Sequence, residues 1–132
     1  MKPPVETVRV SRRGRDQLVK IRRVTGIENW NVICRWAICA SMREPSVPPV
    51  VDKEGDNAVE LTWRTFAGDY SEVLVAAHLM RFESDKKHGD KSEVSENFRR
   101  HLYRGLNFLD ARLEIVDGRD LITSLIGKVS DA

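Results

Sequence analysis

Few residues in this 132-residue chain have the type and spacing that a catalytic site, a metal site or a disulfide requires. Cys34 and Cys39 are the only cysteines, and five positions apart on a helix their side chains point about 140° away from each other, so we expect no disulfide between them. Their spacing also differs from that of zinc ligands, and the three histidines stand at unrelated positions. We therefore predict no metal site and no cofactor, and two free thiols fit a reducing compartment.

Catalytic motifs are equally sparse. The chain has no glycine-rich phosphate loop, no Gly-x-Ser-x-Gly elbow and no His-x-x-x-His pair. Cys34 lies on an apolar helix face, where a packed thiol is more common than a nucleophile. His101 lies beside an apolar stripe, where a hydrogen-bonded core histidine is the more common role. These residues predict a binding protein without catalytic residues.

The clearest signal is the distribution of charge. Residues 1–43 hold ten Lys or Arg and three acidic residues, whereas residues 44–132 hold 12 basic and 17 acidic residues. The formal net charge of +2 hides this asymmetry. Because a basic region raises the local concentration of polyanions, nucleic acid is the first partner to consider.

Length and composition indicate an ordinary globular protein. We predict one domain over residues 1–132, with 41% hydrophobic and 32% charged residues. No apolar run reaches the roughly 18 residues of a spanning helix, and the amino terminus lacks the apolar region of a signal peptide. We therefore predict a cytoplasmic protein that does not associate with membranes.

The hydrophobic pattern predicts a mainly α-helical domain of about four helices with a short N-terminal strand. Ser11 is placed to cap the first helix and Gly26 to end it. The predicted elements, in order, are a strand at 5–10, helices at 12–25 and 28–42, a proline-containing loop at 44–58, a strand at 59–63, a helix opened by Gly68 and Asp69, a charged turn at 83–91, a long helix from Ser92 to about Asp117, and a final helical turn at 121–126.

The first helix combines an apolar sector with a basic one. Leu18, Ile21 and Val24 share one side of a helical wheel. A surface helix normally mixes its charges, whereas this one carries six basic residues and one acidic residue outside the apolar sector. With the neighbouring strand it predicts nucleic-acid contacts by Arg9, Arg12, Arg13, Arg15, Lys20, Arg22 and Arg23.

The second helix is apolar almost all round, so we expect it to be covered on both sides. Another copy of the same chain is the most economical cover on the second side. Arg35 is the polar residue that we expect to find an acidic partner in that contact. The predicted oligomer interface consists of Trp30, Val32, Trp36 and Cys39.

The last long helix contains an interior glycine, Gly105. Glycine inside a helix costs about 1 kcal/mol relative to alanine. The simplest compensation is the close approach of a neighbouring helix, which we therefore predict at Gly105.

A strand followed by two helices, with basic residues on the strand and the first helix, is also the layout of ribbon-helix-helix DNA-binding proteins. In such proteins two strands from a dimer enter the major groove. Thr7 and Arg9 would then face the bases. Strand-helix-helix order is common, so this layout is an alternative rather than the leading hypothesis.

Several short motifs lie in order along the chain. Around the second helix these are Thr25-Gly26-Ile27, Asn31, Cys34-Arg35, Ala37 and Ser41-Met42-Arg43-Glu44-Pro45. Further along they are Gly68-Asp69-Tyr70 and Phe98-Arg99-Arg100-His101-Leu102-Tyr103-Arg104-Gly105. Together these motifs resemble those of the DndE family of DNA sulfur-modification proteins, and the resemblance covers about residues 5 to 115.

The resemblance implies a small, mainly helical protein that forms tetramers and binds DNA, with a preference for nicked duplex. It also implies that the protein acts together with a cysteine desulfurase, an iron-sulfur ATP-pyrophosphatase-like subunit and an ATPase. These partners together replace a non-bridging phosphate oxygen of DNA by sulfur. It carries over no catalytic residue. The leading hypothesis is a non-catalytic DNA-binding subunit, and the alternatives are a protein-protein adaptor in the same complex and a ribbon-helix-helix regulator.

Overall fold

Helices dominate the part of the chain that the structure, a computed structural model, describes, namely residues 2–51 and 57–113. The elements in chain order are β1 (Thr7–Ser11), α1 (Arg12–Thr25), α2 (Trp30–Arg43), β2 (Asn57–Thr62), α3 (Trp63–Ala67), a 3₁₀ turn (Gly68–Tyr70), α4 (Ser71–Lys87) and α5 (Val94–Leu113). The predicted mainly helical class with a short N-terminal strand is confirmed. None of the helices in the described part is long and apolar enough to cross a membrane.

Local signals explain both ends of α1. The Ser11 hydroxyl accepts a hydrogen bond from the Gly14 amide at 3.2 Å, and Gly26 ends the helix at φ 77°. The predicted bounds 12–25 are confirmed. Leu18 and Ile21 are buried as predicted, but Val24 is exposed.

The centre of the fold is the contact between α2 and α5. A Cβ atom at position 105 would overlap the carbonyl group of Ala37, so only glycine allows the two helix backbones to approach this closely. The predicted close approach at Gly105 is therefore confirmed. Apolar residues of both helices, including Ile33, Ile38 and Leu102, are almost completely buried.

The strands β1 and β2 form an antiparallel ribbon within one chain, with Thr7 opposite Thr62 and Val10 opposite Val59. Val8 and Val10 face the core, as their alternation predicted. A ribbon-helix-helix protein pairs the equivalent strands of two subunits instead. The ribbon of this chain thus differs from the one on which that alternative depends.

The segment after β2 differs most from prediction. The predicted strand 59–63 ends at Thr62, whose hydroxyl caps the short helix α3 by accepting from the Thr65 amide at 3.1 Å. Trp63 therefore starts a helix, and its ring packs against Phe66 and Phe98. The turn expected at 83–91 is wrong in its first half, because α4 continues to Lys87.

Three helix boundaries also shift slightly. The last long helix begins at Val94 rather than Ser92, and α2 spans Trp30–Arg43 rather than 28–42. Helix ends commonly differ by one or two residues between criteria. The helical turn predicted at 121–126 lies outside the described residues.

Candidate nucleic-acid interface

Helix α1 is held in a fixed orientation on one side of α5. The Gln17 side-chain amide donates to the side-chain oxygen Oδ1 of Asn107 at 2.8 Å, and the Lys20 ammonium lies 2.9 Å from an Asp110 carboxylate oxygen. These contacts lie beside the buried side chains of Leu18 and Ile21. The opposite face of α1 is therefore turned to solvent.

Four arginines, which we call the free arginines, occupy that solvent face. All four are exposed, and none forms an ion pair with another residue in the ranges 2–51 and 57–113. A guanidinium group without an acidic neighbour is available to a phosphate, with which it can form two parallel hydrogen bonds. The free arginines are Arg12, Arg13, Arg15 and Arg23.

The other three predicted DNA-contacting residues have partners within the chain. Arg9 lies 3.4 Å from Glu60 in an exposed pair across the ribbon. Lys20 is paired with Asp110, and the Arg22 guanidinium lies 5.5 Å from the centre of the Trp30 ring. All seven predicted residues thus lie on β1 and α1, but they are not equally available to a ligand.

A cleft of about 710 Å³ opens beside the first turn of α1. Arg12, Arg13 and Tyr103 contribute to its lining, and none of the lining residues within the described ranges is acidic. The Tyr103 hydroxyl accepts a hydrogen bond from the Ser11 amide at 3.2 Å, so it lies at the N-cap of the helix. The positive potential of the free arginines therefore extends around the end of α1.

The predicted oligomer interface on α2 is covered more by the chain itself than the sequence suggested. Trp30, Val32 and Trp36 are partly buried, and Cys39 is exposed. Arg35 donates to the Phe66 carbonyl at 2.7 Å, so the acidic partner expected in an oligomer is replaced by a backbone oxygen of the same chain. The α2 interface stays a prediction.

A buried polar cluster between α4 and α5 was missed by sequence reasoning. The Asp85 carboxylate accepts hydrogen bonds from Asn97 at 3.0 Å and from His101 at 2.8 Å, and its other oxygen lies 2.9 Å from the Arg81 guanidinium. Its side chain is 1% exposed. Asp85 had been assigned to a charged turn, and no local pattern indicates that an acidic helix residue points inward.

His101 links this cluster to α2. Its second ring nitrogen lies 2.8 Å from the Ser41 hydroxyl, which also accepts a hydrogen bond from Arg104 at 2.9 Å. Ser41 and His101 are both fully buried, so the aligned Ser41, His101 and Asp85 side chains have no access to a substrate. The prediction that His101 is a satisfied core histidine is confirmed.

Burial also explains the behaviour of the Cys34 thiol. Loss of solvation raises its pKa to about 12, only partly opposed by the positive charge of Arg35. A thiol with so high a pKa is almost entirely protonated at neutral pH and is a poor nucleophile. Among the described residues, no group of three or more His, Cys, Asp or Glu side chains is arranged to hold a metal ion.

Stability should fall as the pH drops from about 6.5 towards 4. Burial lowers the pKa of His78 from 6.5 to about 4, partly opposed by its hydrogen bond to Asn97. Burial also lowers the pKa of His101. Because the unfolded chain binds these protons first, His78 alone removes about 1.4 kcal/mol per pH unit in this range.

Urea denaturation between pH 7 and pH 4.5 measures this loss. His78→Phe should be less stable at pH 7, since Asn97 loses a partner, but its stability should depend less steeply on pH. An unchanged slope in the variant would contradict the assignment to His78.

Comparison with known proteins shows the family and the fold of the chain. The sequence model of the family described as DNA sulphur modification protein DndE matches residues 7–117. No curated protein sequence matches the chain. The family match covers both strands of the ribbon and the five α-helices of the described ranges.

Two solved structures share the fold. The crystal structure of DndE from Escherichia coli B7A, described as involved in DNA phosphorothioation modification, superimposes with a TM-score of 0.63 at 22% identity, over 80% of this chain and 96% of that one. A G21/24K mutant of DndE gives a TM-score of 0.57 at 19% identity, with the same coverage. The chain belongs to the DndE family, whose members take part in DNA phosphorothioation.

Proposed function

We propose that this protein is a non-catalytic DNA-binding subunit of the phosphorothioation machinery and that it contacts the DNA backbone through α1. The observation that carries the proposal is the set of free arginines on one exposed helix face of a DndE-family chain. Contacts with phosphates hold a protein on the duplex without reading its sequence. Such binding suits a subunit that presents DNA to enzymes acting on the backbone itself.

The structure supports a ranking of the predicted contacts. Arg12, Arg13, Arg15 and Arg23 should contribute most, because binding a phosphate does not require any of them to leave an ion-pair partner among the described residues. Arg9 can exchange Glu60 for a phosphate at little cost, since an exposed ion pair contributes at most about 1 kcal/mol. Lys20 should contribute least, because its carboxylate partner Asp110 is partly buried. Arg22, stacked on Trp30, keeps its charge and can assist.

The rest of the proposal follows the family. We propose that the protein is a cytoplasmic homo-oligomer, a tetramer, that prefers nicked duplex and works beside the cysteine desulfurase, the iron-sulfur ATP-pyrophosphatase-like subunit and the ATPase of the system. The burial of Ser41, Cys34 and His101 supports an accessory role, because no substrate can reach these side chains. The chemistry is then left to the partner enzymes.

Removing the free arginines should weaken DNA binding and reduce its dependence on salt. For the triple variant Arg12→Ala, Arg15→Ala and Arg23→Ala, we expect affinity for a nicked duplex to fall on the order of 10-fold to 100-fold near physiological salt. The slope of log affinity against log salt should become shallower by about three. Fluorescence anisotropy at several salt concentrations measures both quantities.

A matched control removes basic residues elsewhere. Arg64→Ala with Lys91→Ala takes exposed positive charge from α3 and from the loop before α5, and it should change affinity much less. Because the triple variant removes three positive charges and the control two, equal losses per charge removed would indicate a response to net charge alone. Full binding by the triple variant would overturn the proposal, and loss of all DNA binding with retention of the enzyme complex would favour the adaptor. Strong preference for a palindromic duplex would favour the regulator.

A further inference from the structure

Helix α4 has several large apolar side chains that point to solvent rather than into the core. Val73 is 61% exposed and Met80 is 75% exposed, and Ala77 lies between them on the same stripe. Tyr70, one turn earlier, is 58% exposed. Positions separated by three and four residues form a continuous helix face, so these side chains make one apolar stripe, which we call the α4 stripe.

The core of the chain does not need the α4 stripe. The other side of α4 already packs inward through Leu74, Val75 and His78, which are at most 7% exposed. A helix that is apolar on both sides normally has a second surface to contact. Contiguous apolar surface of this kind is uncommon on a monomer and marks an interaction site.

The charges at the two ends of α4 indicate which partner fits. Asp69 lies just before its amino end and Lys87 lies in its last turn, and at 100° per residue both fall beside the stripe. When two identical helices pack antiparallel across a two-fold axis, the acidic end of each meets the basic end of the other. The positive end of each helix dipole then also lies beside the negative end of the other, which is favourable. The stripe is therefore complementary to a second copy of itself.

We propose that α4 is a self-association helix, with the α4 stripes of two copies packed antiparallel around Ala77. This interface is distinct from the one predicted on α2. A tetramer with two kinds of two-fold contact needs two different interfaces, and the α2 residues and the α4 stripe would provide one each.

The proposed interface leaves the free arginines accessible. Helix α1 contacts α5 through Asn107 and Asp110, whereas α4 contacts it through Asn97 and His101. At 100° per residue these two pairs are centred roughly 130° apart around α5, so α1 and α4 pack on different sides of it. Pairing through the outward side of α4 therefore does not cover α1, and the free arginines of each copy can reach a DNA backbone.

The association state of the full-length protein tests the proposal. Sedimentation velocity over a range of concentrations should show a dissociation constant at least about 10-fold higher for Met80→Glu than for the parent, because the variant places a charge within the apolar contact. Val50→Glu is the matched control, since Val50 is 74% exposed but lies outside α4. Both variants change only exposed side chains, and thermal unfolding verifies that they fold.

Charge reversal tests the antiparallel arrangement. Asp69→Lys and Lys87→Glu should each weaken association, because each puts like charges together at both ends of the contact. The double variant restores opposite charges and should recover most of the association. A different partner protein would not produce this recovery.

Three results would overturn the proposal: a parent protein that is monomeric at all concentrations, an unchanged association state in Met80→Glu, or no recovery in the double variant. If removal of residues 114–132 alone converts a monomer into an oligomer, the stripe is covered by the chain's own end. DNA affinity does not enter any of these readouts, so the proposed DNA-binding role and the proposed interface can fail independently.

Discussion

Asp85→Ala should lower the free energy of unfolding by about 3 to 5 kcal/mol, a large share of the 5 to 15 kcal/mol typical of a domain. The Asp85 carboxylate is the common acceptor for Asn97 and His101 and the ion-pair partner of Arg81. Removing it leaves the largely covered guanidinium of Arg81, 12% exposed, without its carboxylate and two buried donors without their acceptor. The cost of an unpaired buried charge greatly exceeds that of an exposed one.

Urea denaturation of the purified protein measures this effect. Glu60→Ala removes a carboxylate from an ion pair that is more than half exposed, and it should cost about 1 kcal/mol or less. Asp85→Asn should lie between the two, because it keeps the shape and one acceptor but loses the charge. Similar losses for Asp85→Ala and Glu60→Ala would show that the cluster contributes little.

Gly105→Ala should destabilise the protein by about 3 kcal/mol even though alanine is the better helix former. The added methyl group meets the Ala37 carbonyl, and backbone atoms cannot rotate away. The helices α2 and α5 must therefore separate locally, which loosens the packing of both.

Gly14→Ala is the informative comparison for this prediction. There the new methyl group meets a side-chain methyl of Val10, which can shift, so the loss should be smaller. The two variants change the same residue type within helices and differ mainly in what the methyl group meets. Equal or greater loss for Gly14→Ala would contradict the role assigned to the α2–α5 contact.

The elements that the sequence predicts well are those whose ends and faces are encoded locally. Ser11 and Gly26 mark the limits of α1, and the alternation of Val8 and Val10 marks the inward face of β1. Gly105 was identified because a glycine in a helix has a local cost that calls for a distant compensation. Which helix would approach it, and at which residue, has no local signal.

The features that prediction missed depend on contacts between distant parts of the chain. Trp63 continues the alternating pattern of β2, but its ring joins Phe66 and Phe98 only when a helix starts there. From the sequence, Asp85 is indistinguishable from a surface residue, because its partners Asn97 and His101 lie on another helix. Val24 falls in the apolar sector of a helical wheel, but it is exposed. A wheel does not show how far along a helix its neighbours cover it.

For the candidate site, the sequence indicated which basic residues lie together on β1 and α1 but not the contacts of each residue. The basic residues of β1 and α1 do lie on exposed surface. Their pairing with Glu60 and Asp110 could not be predicted, because each acidic partner lies more than 50 residues away along the chain. The exposed stripe of α4 was not predicted either, since its apolar residues are indistinguishable by type from those that pack inward.

The contacts of Gly105 and its neighbour Arg104 lie one helical turn apart on α2. Gly105 fits only against Ala37, and Arg104 donates to the hydroxyl and the carbonyl of Ser41. Sliding α5 by a single residue would break both contacts at once, one through steric overlap and the other through a lost hydrogen-bonding partner. The two helices therefore have one allowed register relative to each other, and any larger motion of the protein must carry them together as a single rigid body.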